Sequence, residues 1–362
     1  MKKIKLFDPV INADEQTAVS RVLKSRFWAS GSGQGNVNLF EKKFSEYVGS
    51  KRCVAVNSGT SALHLALSLY DVKGKEIIVP SMSFVSTAHA ALYNQAKPVF
   101  VDIDPTTLCL DPKKVRAKIT KKTGAILTVH FGGMPSNILE LSKICKENKI
   151  PLIEDAAHAT GSSFNGKMIG SHGDAVCFSF HPVKNLAMPN GGSICLNNKS
   201  STIHNKQKLE SLRWCGISNR KGTNYDVSHL GWNFYMNEFS AAIGIEQLKK
   251  LATSISKKKK LAKKYSKQIN TEQKMPFDNS CSYHLFWIQV NNRNKFIEKM
   301  NRSGIEVGTH YNPIHKMSLY AKKSSNLPIT ENIGKKIVSI PIHPNLSDSD
   351  VDYIISKINK FI

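Results

Sequence analysis

Cys53-Val-Ala-Val56-Asn57-Ser58-Gly59-Thr60-Ser61-Ala62-Leu63-His64-Leu65-Ala66-Leu67 reads as a short apolar strand, a polar turn built on one glycine, and an apolar helix. The same rhythm extends outward. Apolar, β-branched runs bounded by turn residues recur at Ile77-Ile-Val, Pro98-Val-Phe-Val, Ala125-Ile-Leu-Thr-Val, Pro151-Leu-Ile, Ala175-Val-Cys-Phe and Ser193-Ile-Cys-Leu, with helical patterns between the earlier ones. Strands that alternate with helices indicate an α/β fold. The runs lack polar alternation, as expected of strands buried on both faces of a mostly parallel sheet. The last three lie close together in sequence and need tight connections, which predicts one antiparallel strand.

Polar residues cluster just after these runs: Asn57-Ser-Gly-Thr-Ser, Ser81-Met-Ser-Phe, Asp102, His130, Glu154-Asp155 and Ser179-Phe-His. Ligands of open α/β sheets bind at the carboxyl ends of the strands, so these segments are expected around one crevice. A helix is predicted near 236–270. Beyond it the chain turns to shorter patterns, including Tyr283-His-Leu-Phe-Trp-Ile-Gln-Val and residues 351–358. The expected division is a large domain over 1–247 and, over 248–362, an interdomain helix with a small C-terminal α+β domain.

The chain has 362 residues, 41% of them hydrophobic, enough for a sizeable core. Seven cysteines show no CxxC pair and no metal-ligand spacing, which indicates reduced thiols and no metal site. The start is basic but reaches Asp8 and Pro9 before any apolar signal core forms, and no long apolar run follows. A cytoplasmic protein that does not contact membranes is expected. The net charge of +24 attracts polyanions, yet only eight of the 51 basic residues are arginine, and the lysines are spread along the chain. No recognition motif for nucleic acid accompanies them. The densest run, 257–264, lies on an amphipathic pattern of Leu248, Leu251, Ile255, Leu261 and Tyr265, and reads as a solvated helix face.

Three features carry chemistry. Lys184 follows the apolar run that begins at Ala175, and an amine delivered into a dry setting is a candidate Schiff-base former. Gly59, Thr60 and Ser61 open a helix whose free N–H groups, positive dipole end and hydroxyls suit a phosphate, although ordinary caps use the same residues. Asp155 ends a strand among small apolar residues. Taken alone it reads as a helix cap or a structural ion pair; paired with a protonated pyridine nitrogen, it would keep a pyridoxal ring electron-poor. Lys184 then supplies the Schiff base to the same ring, and Ser179 adds a phosphate contact.

Taken in order, these motifs resemble the sugar aminotransferases of the DegT/DnrJ/EryC1/StrS family, fold-type I pyridoxal-phosphate enzymes. The resemblance covers nearly the whole length. It runs through Gly31-Ser-Gly-Gln-Gly with Phe40-Glu41, Asn57-Ser-Gly-Thr-Ser-Ala-Leu, Pro80-Ser-Met-Ser-Phe-Val-Ser-Thr-Ala and Val101-Asp-Ile-Asp. It continues through Glu154-Asp-Ala-Ala-His-Ala, Phe178-Ser-Phe-His-Pro-Val-Lys-Asn, Gly231-Trp-Asn-Phe, Ala241-Ala-Ile-Gly-Ile-Glu-Gln-Leu and Ser339-Ile-Pro-Ile-His-Pro. The resemblance implies a mostly parallel seven-stranded sheet flanked by helices, with Lys184 and Asp155 as the catalytic pair. It further implies Phe84 stacked on the cofactor ring, His158 near its phenolic oxygen, and Thr60, Ser61 and Ser179 on its phosphate. Asn233 would reach the phosphate bound by the neighbouring subunit, so that a homodimer shares its sites. His310, Tyr311 and His315 match a segment near the sugar, although an isolated histidine such as His315 is more often structural.

The activity so implied is transfer of an amino group, with L-glutamate as donor, to a keto group of a nucleotide-linked sugar in amino-sugar and polysaccharide biosynthesis. Pyridoxal 5'-phosphate is the cofactor, with pyridoxamine phosphate as its intermediate form. Two positions depart from the family pattern: Asn190, where an acidic residue precedes Gly-Gly, and Tyr235, where arginine is common. Both bear on substrate contacts near the dimer interface. A deoxygenase-type relative is a second reading, but such relatives carry histidine in place of Lys184. A third is a non-catalytic, basic nucleic-acid-binding or regulatory protein on the same fold.

Overall fold

Each of the seven apolar runs becomes a strand of one sheet in the computed structural model, which describes residues 3–321 and 326–362. The strands are β1 (Arg52–Val56), β2 (Glu76–Pro80), β3 (Lys97–Val101), β4 (Thr123–Val129), β5 (Leu152–Asp155), β8 (Ala175–Ser179) and β9 (Gly192–Leu196). Between β5 and β8 lies a small hairpin of β6 (Ser163–Phe164) and β7 (Lys167–Met168). The sheet order is β1-β9-β8-β5-β4-β2-β3. Only β9 runs antiparallel to its neighbours, β1 and β8. No helix separates β8 from β9, so the chain folds straight back, and that short return carries Lys184.

Helices α1 (Ala13–Ser25), α2 (Asn36–Val48), α3 (Gly59–Leu67) and α4 (Ser86–Tyr93) belong to the first third of the chain. Helix α3 is apolar nearly all round, and Ala62 to Leu67 are buried, so it lies within the protein rather than on its surface. Helix α2 presents Phe40 and Phe44 to Phe178 and Phe180 at the end of β8. A fully buried ion pair fixes this helix to the sheet: Arg213 Nη1 lies 2.5 Å from Glu41 Oε1 and donates to the Ala55 carbonyl at 2.7 Å, while Glu41 accepts the Ala55 N–H at 2.8 Å. Removing one partner of such a pair strands a buried charge. The pair therefore locks β1 and the turn that follows it.

After a hairpin of β10 (Ile217–Lys221) and β11 (Asn224–Val227), the long helix Glu238–Gln268 serves two cores. Leu251 and Ile255 pack with the sheet and α2, whereas Ala262, Tyr265 and Ile269 pack with β12 (Phe286–Gln289), β13 (Ile337–Ile340) and the last helix, Asp348–Phe361. The boundary expected at 247 falls inside this continuous helix. Residues near the start join the C-terminal region: Ile4 pairs with Ile305, and Asn345 donates to Asp8 at 2.7 Å. The run 257–264 differs from the expectation at one position. Lys258 is buried, because it continues the inward stripe of Leu251, Ile255, Ala262 and Tyr265. Among the described residues no helix is long and apolar enough to cross a membrane, and no cluster suits a metal ion.

Candidate active site

The carboxyl ends of β1, β8, β5 and β2, with β9 between the first two and β4 between the last two, point to the same edge of the sheet and deliver polar segments there. Ser58 caps α3 by accepting the Ser61 N–H at 3.1 Å. Ala62 N–H goes to the Ser58 carbonyl. The N–H groups of Gly59 and Thr60 remain at the open end of the helix, as first-turn N–H groups do. Close packing forms this end: a Cβ on Gly59 would lie 2.7 Å from Ser179 Cβ, and one on Gly192 would lie 2.4 Å from the Ser58 carbonyl. The turn thus has room for backbone but not for another side chain. Thr60 Oγ1 bonds Ser86 Oγ at 2.7 Å, and Ser61 Oγ donates to Asn57 Oδ1 at 2.6 Å. Together these groups line the open end of α3 with backbone N–H groups and hydroxyls, a setting that suits an anion.

Asp155 sits at the end of β5, 5% exposed. Its carboxylate accepts the Thr87 hydroxyl at 2.8 Å and the Ala157 N–H at 3.1 Å. Burial raises its pKa above the ordinary carboxylate value, an effect that the Thr87 and Ala157 hydrogen bonds and the charge of Lys184 oppose. A carboxylate held in this way favours a cationic N–H partner. Lys184 supplies the second element. Part of its side chain remains exposed, but protein surrounds the amine, and burial lowers its pKa to about 8 against the pull of Asp155. More of the amine is therefore neutral and nucleophilic near neutral pH than of a solvent-exposed lysine.

The remaining predicted residues divide into two groups. His158 is buried; its Nδ1 accepts the Gly132 N–H at 3.2 Å, which leaves Nε2 to face the Tyr311 hydroxyl at 3.1 Å. Burial pushes the His158 pKa well below its usual value. Phe84 is 56% exposed, with its ring 6.2 Å from that of Tyr311, and His310 packs at 5.0 Å against Tyr311. His315 stands apart. Its Nδ1 meets Ser81 Oγ at 2.6 Å and its Nε2 meets Glu331 Oε1 at 3.2 Å, so both ring nitrogens serve packing partners. Asn233 is exposed, and its carbonyl accepts Asn57 Nδ2 at 3.3 Å, beside the phosphate-type turn. Asn190 is also exposed.

Sequence reasoning missed three contributors. Thr87 holds Asp155, His284 places Nε2 3.4 Å from Lys184 Nζ, and Lys258 donates to Asn185 Oδ1 at 2.7 Å. Burial lowers the pKa of Lys258 to about 7. The inward helical stripe through 251, 255 and 262 was the signal for Lys258; nothing in the pattern marked the other two.

N–H groups and hydroxyls at a helix end, a buried carboxylate and an amine of lowered pKa are the chemistry that the phosphate, ring nitrogen and aldehyde of pyridoxal phosphate call for. This fold with this site defines a fold-type I, pyridoxal-phosphate-dependent aminotransferase. The chain belongs to the DegT/DnrJ/EryC1/StrS aminotransferase family, whose model matches residues 9–359. It is 32% identical over 372 residues to GDP-perosamine synthase of Escherichia coli O157:H7, covering 100% of this chain and 99% of that one. It is 33% identical over 359 residues to UDP-4-amino-4,6-dideoxy-N-acetyl-beta-L-altrosamine transaminase of Campylobacter jejuni subsp. jejuni serotype O:23/36, covering 95% and 93%. Among solved structures, the PLP-form of Spr1654 from Streptococcus pneumoniae matches with TM-score 0.93 and 25% identity, over 99% of this chain and 98% of that one. A PMP-form of the same protein also matches, with TM-score 0.93.

Proposed function

We propose that this enzyme transfers an amino group from L-glutamate to a keto carbon of a nucleotide-linked sugar, for amino-sugar and polysaccharide biosynthesis. The observation that carries the reading is the buried Asp155 carboxylate acting on the Lys184 amine, at the end of the sheet where α3 opens. The names of the similar proteins, a GDP-linked and a UDP-linked sugar enzyme, support the substrate class. When bound, pyridoxal phosphate supplies an electron sink that makes the substrate C–H bond acidic. The protein does the rest. Gly59, Thr60, Ser61 and Ser179 hold the phosphate by N–H groups and hydroxyls. Asp155 keeps a proton on the ring nitrogen, and Thr87 holds the carboxylate in place. Phe84 covers one face of the site. Lys184 anchors the cofactor at rest; once released, its amine moves the proton between substrate carbon and cofactor, as base and then as acid. Because the same Lys184 amine would serve the donor and then the keto sugar in turn, ping-pong kinetics follow.

A homodimer completes this reading, with Asn233 reaching the phosphate site of the second subunit. Its exposed position beside Asn57 supports that role. Seven free cysteines, six of them buried, support a reducing, cytoplasmic setting. The presence of lysine rather than histidine at 184 favours amination over deoxygenation. A panel of 3-keto and 4-keto sugar nucleotides, scored for glutamate-dependent amination, tests the proposal. Amination of one or more members supports it, and no reaction across the panel by cofactor-loaded protein counts against it.

A further inference from the structure

Among the described residues the Lys184 amine has one hydrogen-bonding neighbour, and the reaction described above gives that neighbour no role. His284, from the segment just ahead of β12, sets Nε2 3.4 Å from Lys184 Nζ. This contact is long, as acid–base contacts often are before ligands bind. His284 is 1% exposed, stacked on Phe7 with ring centroids 5.5 Å apart and packed 4.4 Å from His158. Among the described residues its Nδ1 has no hydrogen-bond partner. An unsatisfied buried ring nitrogen is costly, so packing alone gives no reason to prefer histidine to phenylalanine here.

The groups around the ring settle its charge. Burial, then Lys184, His158, Lys258 and His310, all oppose protonation of His284. Asp155 is the acidic group that acts on Lys184. A protonated His284 would place a second positive charge against the Lys184 ammonium. The ring is therefore neutral and offers a lone pair rather than storing a proton.

We infer that His284 is a positioning residue: with its proton on Nδ1 and its lone pair on Nε2, it accepts a hydrogen bond from Lys184 whenever that amine is free, and so holds the amine in place between the two halves of the reaction. No covalent bond is made or broken. The inference rests on Lys184 being the cofactor-bearing lysine. An acceptor stabilises the ammonium, so Lys184 holds its proton more tightly with His284 present than without it.

The test uses the full-length, cofactor-free enzyme. The rate at which cyanate carbamylates Lys184, followed by peptide mass mapping across pH, gives the midpoint of its titration. His284→Phe keeps the stacking and removes both nitrogens; it is expected to lower that midpoint by about one pH unit. His284→Gln, whose Oε1 replaces the Nε2 acceptor, is expected to restore it. An unchanged or raised midpoint in His284→Phe overturns the proposal. Nitrogen-15 NMR of wild-type enzyme labelled at histidine needs no variant. A neutral Nδ1–H ring at His284 through roughly pH 6 to 8 is expected, and an Nε2–H or protonated ring overturns the proposal. Protection of Lys184 from cyanate by added pyridoxal phosphate is a separate readout. Its absence would refute the cofactor role of Lys184 and leave the midpoint result to judge the hydrogen bond.

Discussion

Replacing Asp155 by asparagine separates what the site costs the fold from what it gives the reaction. The amide keeps the shape and both contacts: its oxygen accepts the Ala157 N–H, and its NH2 donates to Thr87 Oγ1, whose hydroxyl turns round. Only the charge is lost. In the cofactor-free protein the folded pKa of Asp155 is raised, chiefly by burial, so the folded state binds that proton more tightly than the unfolded chain does. Its contribution to stability therefore rises as pH falls through the folded pKa toward the unfolded value, and the ionised form is a penalty at pH 7. Asp155→Asn removes that penalty, so the cofactor-free variant should melt at pH 7 no lower than wild type. With cofactor bound the balance reverses, because a buried cation loses its partner at a cost of about 3–5 kcal/mol. If that cost appears in the transition state, kcat falls roughly 10²–10⁴-fold. Thermal melts of the cofactor-free forms and turnover of the reconstituted ones measure the two halves. A variant that turns over at the wild-type rate would refute the role assigned to Asp155.

Gly192→Ala forces a methyl against the Ser58 carbonyl and is expected to weaken pyridoxal phosphate binding by about 1–3 kcal/mol, measured by fluorescence titration; unchanged affinity contradicts the phosphate role given to this turn. Lys258→Met tests the second buried amine. Because folding lowers the Lys258 pKa to about 7, the wild type gains stability as pH rises above that value, so the variant should compare less well with wild type at pH 9 than at pH 7 in urea melts. His315→Leu takes the ring partner from the buried Ser81 hydroxyl, while Glu331 keeps Lys316, and should cost about 1–3 kcal/mol of stability while leaving the KM for the sugar nucleotide unchanged. A raised KM without destabilisation would return His315 to the substrate site.

The strands were legible because burial on both faces leaves an unbroken apolar run, and each of the seven runs found its place in the sheet. Lys184, Asp155 and the Gly59 turn were legible because each follows such a run, where an α/β sheet exposes its chemistry. The rest depends on contacts distant in sequence. His284 lies within an apolar stretch that reads as a strand and meets Lys184 only when the C-terminal region docks. Thr87 is one hydroxyl among several in its motif, and only the fold selects it for Asp155. Lys258 lies in a run of lysines whose shared charge hides the one that turns inward, although the helical spacing from Ile255 and Ala262 points to it. His315 lies in a motif that the resemblance places near the sugar, and its contacts to Ser81 and Glu331 come from segments that the sequence does not join to it.

The central claim is that Lys184 carries the cofactor. Purified protein mixed with pyridoxal phosphate, reduced with borohydride and digested should yield one phosphopyridoxyl-labelled peptide, modified at Lys184, with a visible absorbance before reduction that Lys184→Ala lacks. A label on Lys258 or on surface lysines alone, or a colourless protein that cannot be loaded, would contradict it.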